Sequence, residues 1–416
     1  MTRDTDTPGT KQPWKTLGQF LPFENADQRL WWEKTASLMN VHLRLTNYSL
    51  HSQYQHLLLF YSVVLPTLGP FPNKARSNLP WRANFNLDGV PLEFSVNYQQ
   101  NSKCILRLDY DPVGLHAGTN ADPTNEAAAR LSLLKLKELE PAIDLAWHDH
   151  FDQTITLSNS QASSHWDRIM SQKLPFISQR WLALDLREES FLVKSYFSPL
   201  VKSAATGVDA AHIMFDSIRK LDHAVYFTAG LAKLKDWFSA NRALLMDSEI
   251  FPGFDCNDPE RARLKVYAGI TSVSFCDVRN FWTLGGCLHG PEIETGFQIV
   301  RTMWQLLFPN KPRYDEKQDL FMDWNWELLP NNPNPVPKAY FGFHNDSDQH
   351  ATDILAALFA HLNWTDHLDT HRKITQEAYP TCNLENTSHI VTWICIAYSA
   401  KSGPYITTYS NVTGHE

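Results

Sequence analysis

The chain has 416 residues, of which 43% are hydrophobic, 20% are charged and 12% are aromatic. This composition is typical of a globular protein with a substantial core and excludes a largely disordered chain. The formal net charge of −8 argues against a general affinity for nucleic acid, so any cluster of cations is a local feature.

Hydrophobic periodicity predicts secondary structure in a repeating order along the chain. Two helices come first, at about 25–41 and 50–65, and strands follow at 85–98 and 103–111. The same order then returns in the predicted helices 125–139, 144–155, 209–221, 223–242, 275–284, 292–307, 346–362 and 366–379, and in the predicted strands 179–187, 191–197, 244–250, 261–270, 320–328, 336–343, 389–398 and 404–410. A loop is expected at 252–255. The chain therefore reads as helix, helix, strand, strand, five times over.

Five antiparallel hairpins joined by helix pairs can close into one ten-stranded barrel. Closure removes the exposed sheet edges and makes an interior to which every second strand residue points. We therefore predict an α/β fold with ten antiparallel strands in five ααββ repeats, enclosed by a ring of outer helices. We expect one domain over residues 15–412, preceded by a disordered segment at 1–14.

Three predicted strands carry the same short pattern, a lysine and a tyrosine separated by one residue. The pairs are Lys194–Tyr196, Lys265–Tyr267 and Lys338–Tyr340, at near-equal spacing along the chain. In a strand, residues two apart share a face, so each pair points to the same side. One such pair carries little information, whereas three indicate a repeated unit that directs cations and phenols to a common place.

The predicted interior also receives further cations and phenols, namely Arg107, Arg263, Tyr405 and Tyr409. Confined cations repel one another unless an anion lies among them, and a diphosphate suits Arg and Lys because it accepts charge-assisted hydrogen bonds. Tyrosine faces attract a cation by about 0.5–2 kcal/mol each. A site of this kind can ionise an allylic diphosphate and shield the resulting carbocation.

Several stretches resemble the dimethylallyltryptophan synthase family, fungal aromatic prenyltransferases with the ABBA barrel fold. The resemblance rests on the three lysine–tyrosine strands and on the stretches 89–97, 106–112 and 403–409, and it covers roughly residues 15–412. It implies transfer of a dimethylallyl group from dimethylallyl diphosphate to an aromatic acceptor in alkaloid or secondary-metabolite biosynthesis.

The resemblance also assigns roles to individual residues. Glu93 matches the carboxylate that accepts a hydrogen bond from the acceptor's indole N–H. Diphosphate ligands are implied at Arg107, Lys194, Arg263, Lys265 and Lys338. A tyrosine shield, with contacts to the diphosphate, is implied at Tyr196, Tyr267, Tyr340, Tyr405 and Tyr409.

The implied reaction needs no metal or other cofactor, and the chain lacks an Asp-Asp-x-x-Asp run for a magnesium-bridged diphosphate. Some members use a lysine one strand before the first Lys-x-Tyr pair to accept the final proton. Gln179, Arg180 and Trp181 occupy that neighbourhood, so the deprotonating group is left unassigned. The pair His148 and His150 resembles a metal cluster, but we interpret it as structural.

Two other functions stay open from the sequence. A non-catalytic binder of phosphorylated ligands would keep the cations but need neither Glu93 nor the tyrosines. A prenyl-diphosphate hydrolase would need a positioned water and a base, and the strand patterns contain no histidine. Glu93 itself could be an ordinary solvated strand residue, and the cations could point outward with their charged ends in water.

The acceptor is not fixed by these patterns. Tryptophan, a tryptophan-containing cyclic dipeptide and tyrosine all fit the resemblance, with C- or O-prenylation as alternatives for the simple amino acids. The aromatic interior slightly favours the cyclic dipeptide.

The remaining expectations concern the setting of the protein. It should bind small molecules but neither nucleic acid nor membranes, as a monomer or homodimer. Six scattered cysteines without a Cys-x-x-Cys pair, and a polar N-terminus, favour a cytoplasmic protein.

Overall fold

The structure is a computed structural model that describes residues 12–73, 75, 77–84, 88–100, 102–310, 312–344 and 346–412. Within these residues ten strands form one closed barrel in which every neighbouring pair is antiparallel. The strands are β1 Leu92–Gln99, β2 Ser102–Tyr110, β3 Arg180–Leu186, β4 Phe191–Phe197, β5 Phe251–Asp255, β6 Leu264–Val273, β7 Gln318–Leu328, β8 Val336–Gly342, β9 Val391–Ser399 and β10 Gly403–Asn411.

Helices surround the barrel. In the described part of the chain the α-helices are α1 Pro13–Phe20, α2 Ala26–Trp31, α3 Ser37–Leu45, α4 Leu50–Leu59, α5 Ala128–Leu139, α6 Ala146–Ile155, α7 Asn159–Ser164, α8 Trp166–Ser171, α9 Leu200–Thr206, α10 Ala210–Arg219, α11 Thr228–Asn241, α12 Phe275–Thr283, α13 Pro291–Leu307, α14 Asp348–His361 and α15 Thr365–Ala378. Short π-helical turns lie at Trp32–Ala36 and Phe60–Val64, and 3₁₀ turns at Leu65–Thr67, Ala224–Phe227, Arg242–Leu244 and Asp247–Glu249. None of the described helices combines the length and apolarity that a bilayer crossing requires.

The prediction of a ten-stranded barrel inside a ring of helices is confirmed. The alternation of side chains along each strand explains how the outer and inner faces of the barrel differ. Leu92, Phe94 and Val96 of β1 are buried outside the barrel in one large apolar core with the helices. Glu93 and Ser95, on the other face, point inward, where Glu93 lines a cavity.

The helix boundaries follow local sequence signals. The Ser49 side chain caps α4 by accepting a hydrogen bond from the Ser52 backbone N–H at 3.1 Å. Ser347 caps α14 in the same way, while the neighbouring Asn345 lies outside the described residues. The start of the predicted strand 85–98 also falls outside them at residues 85–87, and β1 begins at Leu92. Of the segment expected to be disordered, residues 1–11 are not described, and α1 begins at Pro13.

The predicted strand at 244–250 is wrong, because the third pair begins later. Residues 252–255, expected as a loop, belong to β5, which begins at Phe251, and the preceding stretch contains two 3₁₀ turns. Pro252 and Gly253 suggested a turn, yet Gly253 lies within a strand, where the neighbouring Tyr196 ring leaves no room for a side chain. A Cβ there would lie 2.5 Å from Cδ1 of Tyr196, whose ring crosses the β5 backbone.

Candidate active site

The barrel interior is layered along its axis, and the first layer is charged. All five predicted cations lie there, paired with three buried carboxylates that the sequence analysis missed: Asp185, Asp255 and Glu327. The register brings the carboxylates beside the cations. Asp185 lies directly opposite its ion-pair partner Arg107 on the neighbouring strand. Asp255 and Glu327 lie opposite Lys194 and Lys265, but form their ion pairs with other cations of the layer.

Asp185 links two of the cations. Its Oδ1 lies 2.8 Å from Arg107 Nε and also accepts a hydrogen bond from Lys194 Nζ. Burial opposes ionisation of Asp185, but the charges of Arg107 and Lys194 outweigh it and lower the pKa of its carboxyl. Asp185 is therefore ionised at neutral pH.

The other two carboxylates hold the remaining cations. Asp255 lies 2.6 Å from Arg263 Nε and 3.4 Å from Lys265 Nζ. Glu327 Oε1 lies 2.6 Å from Lys338 Nζ and 3.5 Å from Arg263 Nη1. Three carboxylates against five cations leave this layer with an excess of positive charge, which suits a polyanionic ligand.

Lys194 is the cation that loses its proton most readily. Burial, reinforced by repulsion from Arg107 and opposed by Asp185, lowers the pKa of its amine to about 7. Burial also lowers the pKa of Lys265. At Lys338 burial acts in the same direction, but Glu327 and Tyr405 together outweigh it and raise the pKa. An arriving anion would restore the full charge of the two lysines with lowered pKa.

The second layer is a belt of aromatic rings. Tyr196, Tyr267, Tyr340 and Tyr409 follow one another with ring centroids 6.0, 6.2 and 6.0 Å apart. Trp181 stacks on Tyr196 at 5.4 Å with nearly parallel planes. Burial raises the pKa of all four tyrosines, so they are neutral phenols that present π faces to the interior.

Tyr405 lies apart from this belt, among the cations. Lys338 Nζ is 4.9 Å and Arg107 Cζ is 5.6 Å from the centre of its ring, and the Arg107 guanidinium donates a hydrogen bond to its hydroxyl. Of the two roles expected for the tyrosines, contact with the diphosphate suits the position of Tyr405 better than the shield.

Above the belt lies a cavity of about 370 Å³. The tyrosine belt, Trp181, Phe251, Phe321 and Trp393 supply its aromatic walls. Among the described residues that line it, four are acidic, namely Glu93, Asp109, Glu249 and Asp323, and one, Arg82, is basic. The last three acids were missed, because Asp109 and Asp323 required the barrel register and Glu249 lies outside the strands.

Glu93 is buried, with 3% of its surface exposed, and its Oε1 accepts a hydrogen bond from the Thr392 hydroxyl at 2.5 Å. Burial raises the pKa of Glu93 well above its ordinary value, with Asp109 adding repulsion and Thr392 opposing the rise. A ligand that donates a hydrogen bond to Glu93 would stabilise its ionised form and oppose this rise in pKa.

The three residues at the place where some family members carry a lysine base have other contacts. Trp181 lines the cavity, Arg180 forms an ion pair with Asp152, and Gln179 exchanges hydrogen bonds with the Leu157 backbone.

The two histidines at 148 and 150 both have hydrogen-bond partners within the protein. His148 Nδ1 lies 2.9 Å from the Ser195 hydroxyl, and His150 Nε2 lies 2.9 Å from the Ser217 carbonyl oxygen. Across the described residues, no group of three or more His, Cys, Asp or Glu side chains is arranged to hold a metal ion.

Comparison with known proteins identifies the family. The family model for tryptophan dimethylallyltransferase matches residues 27–373. The chain belongs to this family. It is an aromatic prenyltransferase, which confirms the resemblance inferred from the strand patterns.

Individual relatives agree over nearly the whole chain. Echinulin prenyltransferase 1 of Aspergillus ruber is 31% identical over 409 residues, which are 95% of this chain and 96% of the relative. The crystal structure of AnaPT from Neosartorya fischeri superposes with a TM-score of 0.88 at 29% identity, covering 97% of this chain and 98% of that one. The crystal structure of NotF in complex with brevianamide F and DMSPP has a TM-score of 0.85 at 28% identity, covering 97% and 99%.

Proposed function

We propose that the protein transfers a dimethylallyl group from dimethylallyl diphosphate to the indole ring of a tryptophan-containing cyclic dipeptide, without a metal ion. The observation that carries the proposal is the order of the layers: excess cations at one end of the barrel, a tyrosine belt, then an aromatic cavity with a buried carboxyl. Each layer corresponds to one requirement of the reaction.

In the proposed first step, the diphosphate binds among Arg107, Lys194, Arg263, Lys265 and Lys338. These cations stabilise the negative charge that grows on the diphosphate as the carbon–oxygen bond breaks, which lowers the barrier to ionisation. The π faces of the belt then surround the allylic cation and exclude water, which would otherwise capture it.

In the second step, the indole ring attacks the cation while its N–H donates a hydrogen bond to Glu93. Positive charge spreads onto the indole nitrogen as the new carbon–carbon bond forms. The hydrogen bond to a carboxylate therefore strengthens in the transition state, and this differential binding accelerates the reaction. Loss of a ring proton restores aromaticity.

Two observations favour the cyclic dipeptide over free tryptophan. The acid-rich cavity disfavours the carboxylate of a free amino acid, since four carboxyls and one arginine line it. In addition, the related NotF is described in complex with brevianamide F, a cyclic dipeptide.

The test is incubation of the pure protein with dimethylallyl diphosphate and, separately, a tryptophan-containing cyclic dipeptide, tryptophan and tyrosine. We expect a mono-dimethylallylated cyclic dipeptide with release of diphosphate, and slower or no conversion of the amino acids. Exclusive prenylation of a free amino acid would show that the proposed acceptor is wrong. Diphosphate release without any prenylated product would favour a hydrolase.

A further inference from the structure

An inward position on strand β6 is left without a side chain. Lys265, Tyr267 and Gly269 share the inward face of β6, and Gly269 lies opposite Asp323 of β7. A Cβ at residue 269 would lie 1.9 Å from Asp323 Oδ1 and 2.8 Å from both Cβ and Cγ of Glu249. The glycine therefore makes room for two carboxylic side chains to enter the cavity side by side.

Among the described residues, neither of these two carboxyls has a cationic partner like those of Asp185, Asp255 and Glu327. Asp323 is half-buried and lines the cavity, and its Oδ1 is buried without a hydrogen-bond partner among the described residues. Glu249 receives a hydrogen bond from the hydroxyl of its neighbour Ser248 at 2.8 Å. Unpaired buried carboxyls are costly to a protein, so a ligand that satisfies them gains affinity.

Two acids this close do not both ionise at neutral pH. Burial and the neighbouring Glu249 raise the pKa of Asp323 well above its ordinary value, and burial raises the pKa of Glu249 to about 7. The pair therefore presents one carboxyl O–H, which donates, beside one carboxylate, which accepts.

We propose that Glu249 and Asp323 recognise one amide of a cyclic dipeptide acceptor, with the Asp323 carboxyl donating to its carbonyl oxygen and the Glu249 carboxylate accepting from its N–H. A six-membered cyclic dipeptide holds its amides cis, so each amide presents C=O and N–H along one edge. A donor beside an acceptor is complementary to that edge. This inference rests on the proposed acceptor and assigns residues to its recognition.

The topology places the pair suitably for this role. In the ten-stranded barrel, β6 is five strands from β1 in either direction, so Gly269 and its two acids lie across the cavity from Glu93. An acceptor that donates its indole N–H to Glu93 would extend its dipeptide ring away from β1, toward β6 and β7. Glu93 then orients the ring that reacts, and the pair fixes the other end.

The first test changes the acceptor and leaves the protein intact. A tryptophan-containing cyclic dipeptide is compared with its two isomers that carry a single methyl group on one or the other amide nitrogen. We expect KM to rise by about tenfold to a hundredfold for one isomer, as loss of a hydrogen bond to a charged group predicts, and to change little for the other. Equal KM values for the unmethylated cyclic dipeptide and both methylated isomers would overturn the proposal.

The second test excludes a simple clash with the added methyl group. In the double variant Asp323→Leu, Glu249→Met the two isomers should have similar KM values, whereas a steric effect would keep them different and contradict the proposal. The variant Asp323→Asn, Glu249→Gln should restore the difference, because side-chain amides also donate and accept. Asp247→Asn is the matched control, since this exposed acid of the same 3₁₀ turn forms an ion pair with Arg242 and does not line the cavity.

Failure of this inference differs from failure of the proposed function. If no indole acceptor is prenylated by the parent protein, the proposed function is wrong. If the cyclic dipeptide is prenylated but the variants affect only tryptophan, the pair binds an ammonium group instead and the inference is overturned while prenyl transfer stands.

Discussion

Lys194 is the cation of the charged layer whose protonated form is most destabilised by its surroundings. It shares Asp185 with Arg107 and is fully buried, and its pKa is lowered to about 7 by burial and by the neighbouring cations. At pH 8 its amine is therefore largely neutral in the free protein. A diphosphate beside it favours the charged form, so binding should draw a proton onto Lys194.

This reasoning predicts the behaviour of Lys194→Ala. The variant should bind dimethylallyl diphosphate about tenfold to a hundredfold more weakly, because a charge-assisted contact is lost, and should lose the proton uptake that the parent shows at pH 8. Calorimetry in two buffers of different ionisation enthalpy measures both quantities. For the parent, affinity should fall as the pH rises above 7, since deprotonated Lys194 no longer attracts the anion.

Lys103→Ala provides the control for this measurement, because Lys103 is an exposed lysine that pairs with Glu188 on the surface. Its diphosphate affinity should match that of the parent. Unchanged affinity in Lys194→Ala would remove Lys194 from the diphosphate site.

Glu93 gives the second prediction at this scale. Glu93→Gln keeps the size of the side chain and an acceptor oxygen but removes the charge. We expect kcat to fall by about a hundredfold or more, by analogy with loss of one transition-state hydrogen bond, while affinity for dimethylallyl diphosphate stays near that of the parent. Steady-state kinetics and calorimetry check the two parts.

An acceptor methylated at the indole nitrogen is the matched control for Glu93. It should be a poor substrate of the parent protein, because it has no N–H to donate. For the same reason, its kcat should change little in Glu93→Gln. Full kcat of the variant on the unmethylated acceptor would make Glu93 a structural residue.

Helix α13 shows how closely an outer helix packs on the barrel. A Cβ at Gly296 would lie 2.6 Å from Cζ2 of Trp282 on α12 and 2.9 Å from Cβ of Tyr398 on β9. The Tyr398 Cβ is fixed to a strand and cannot rotate away. The absence of a side chain at residue 296 therefore sets the distance between this helix and the barrel.

We predict that Gly296→Ala lowers the free energy of unfolding by about 1–3 kcal/mol, the usual cost of overpacking, despite the better helix propensity of alanine. Denaturant unfolding measures the difference. Gln305→Ala, at an exposed position of the same helix, should stay within about 0.5 kcal/mol of the parent. Equal stability of the two variants would show that α13 can move away from the barrel.

The strand periodicity explains why much of the site could be predicted from the sequence. Residues two apart share a face, so the lysine and tyrosine of each Lys-x-Tyr pair could be assigned to the same side of a strand without knowledge of the fold. The three carboxylates of the charged layer could not be found in this way. Asp185 and Glu327 acquire their partners only through the register between strands, which the sequence of one strand does not encode.

The remaining errors come from glycines. Gly253 indicated a turn although it lies within β5, where the Tyr196 ring leaves no space for a side chain. Gly269 carried no signal at all, yet it admits Glu249 and Asp323 into the cavity. In both cases a side chain distant in sequence occupies the space where the Cβ of a larger residue would lie. The need for glycine is therefore visible only in the folded barrel.

On the scale of the whole molecule, the barrel separates charge along its axis. The excess of cations lies at one end, where the diphosphate is expected. Acids without an ion pair among the described residues line the cavity at the other end. The neutral tyrosines stand between them. This polarity favours one orientation of the two substrates, with the leaving group below the belt and the acceptor above it.

The same polarity predicts how the protein responds to removal of divalent metal. Five basic side chains against three carboxylates supply net positive charge to a diphosphate, the task that magnesium performs where acidic side chains hold the metal. We therefore expect turnover to persist in excess EDTA at near the rate measured with magnesium, in a discontinuous assay of the prenylated product. Loss of all turnover with the chelator, restored by added magnesium, would contradict this. A partial loss confined to Lys265→Ala and rescued by magnesium would agree with it, because a divalent ion would then replace the charge that the missing lysine supplies.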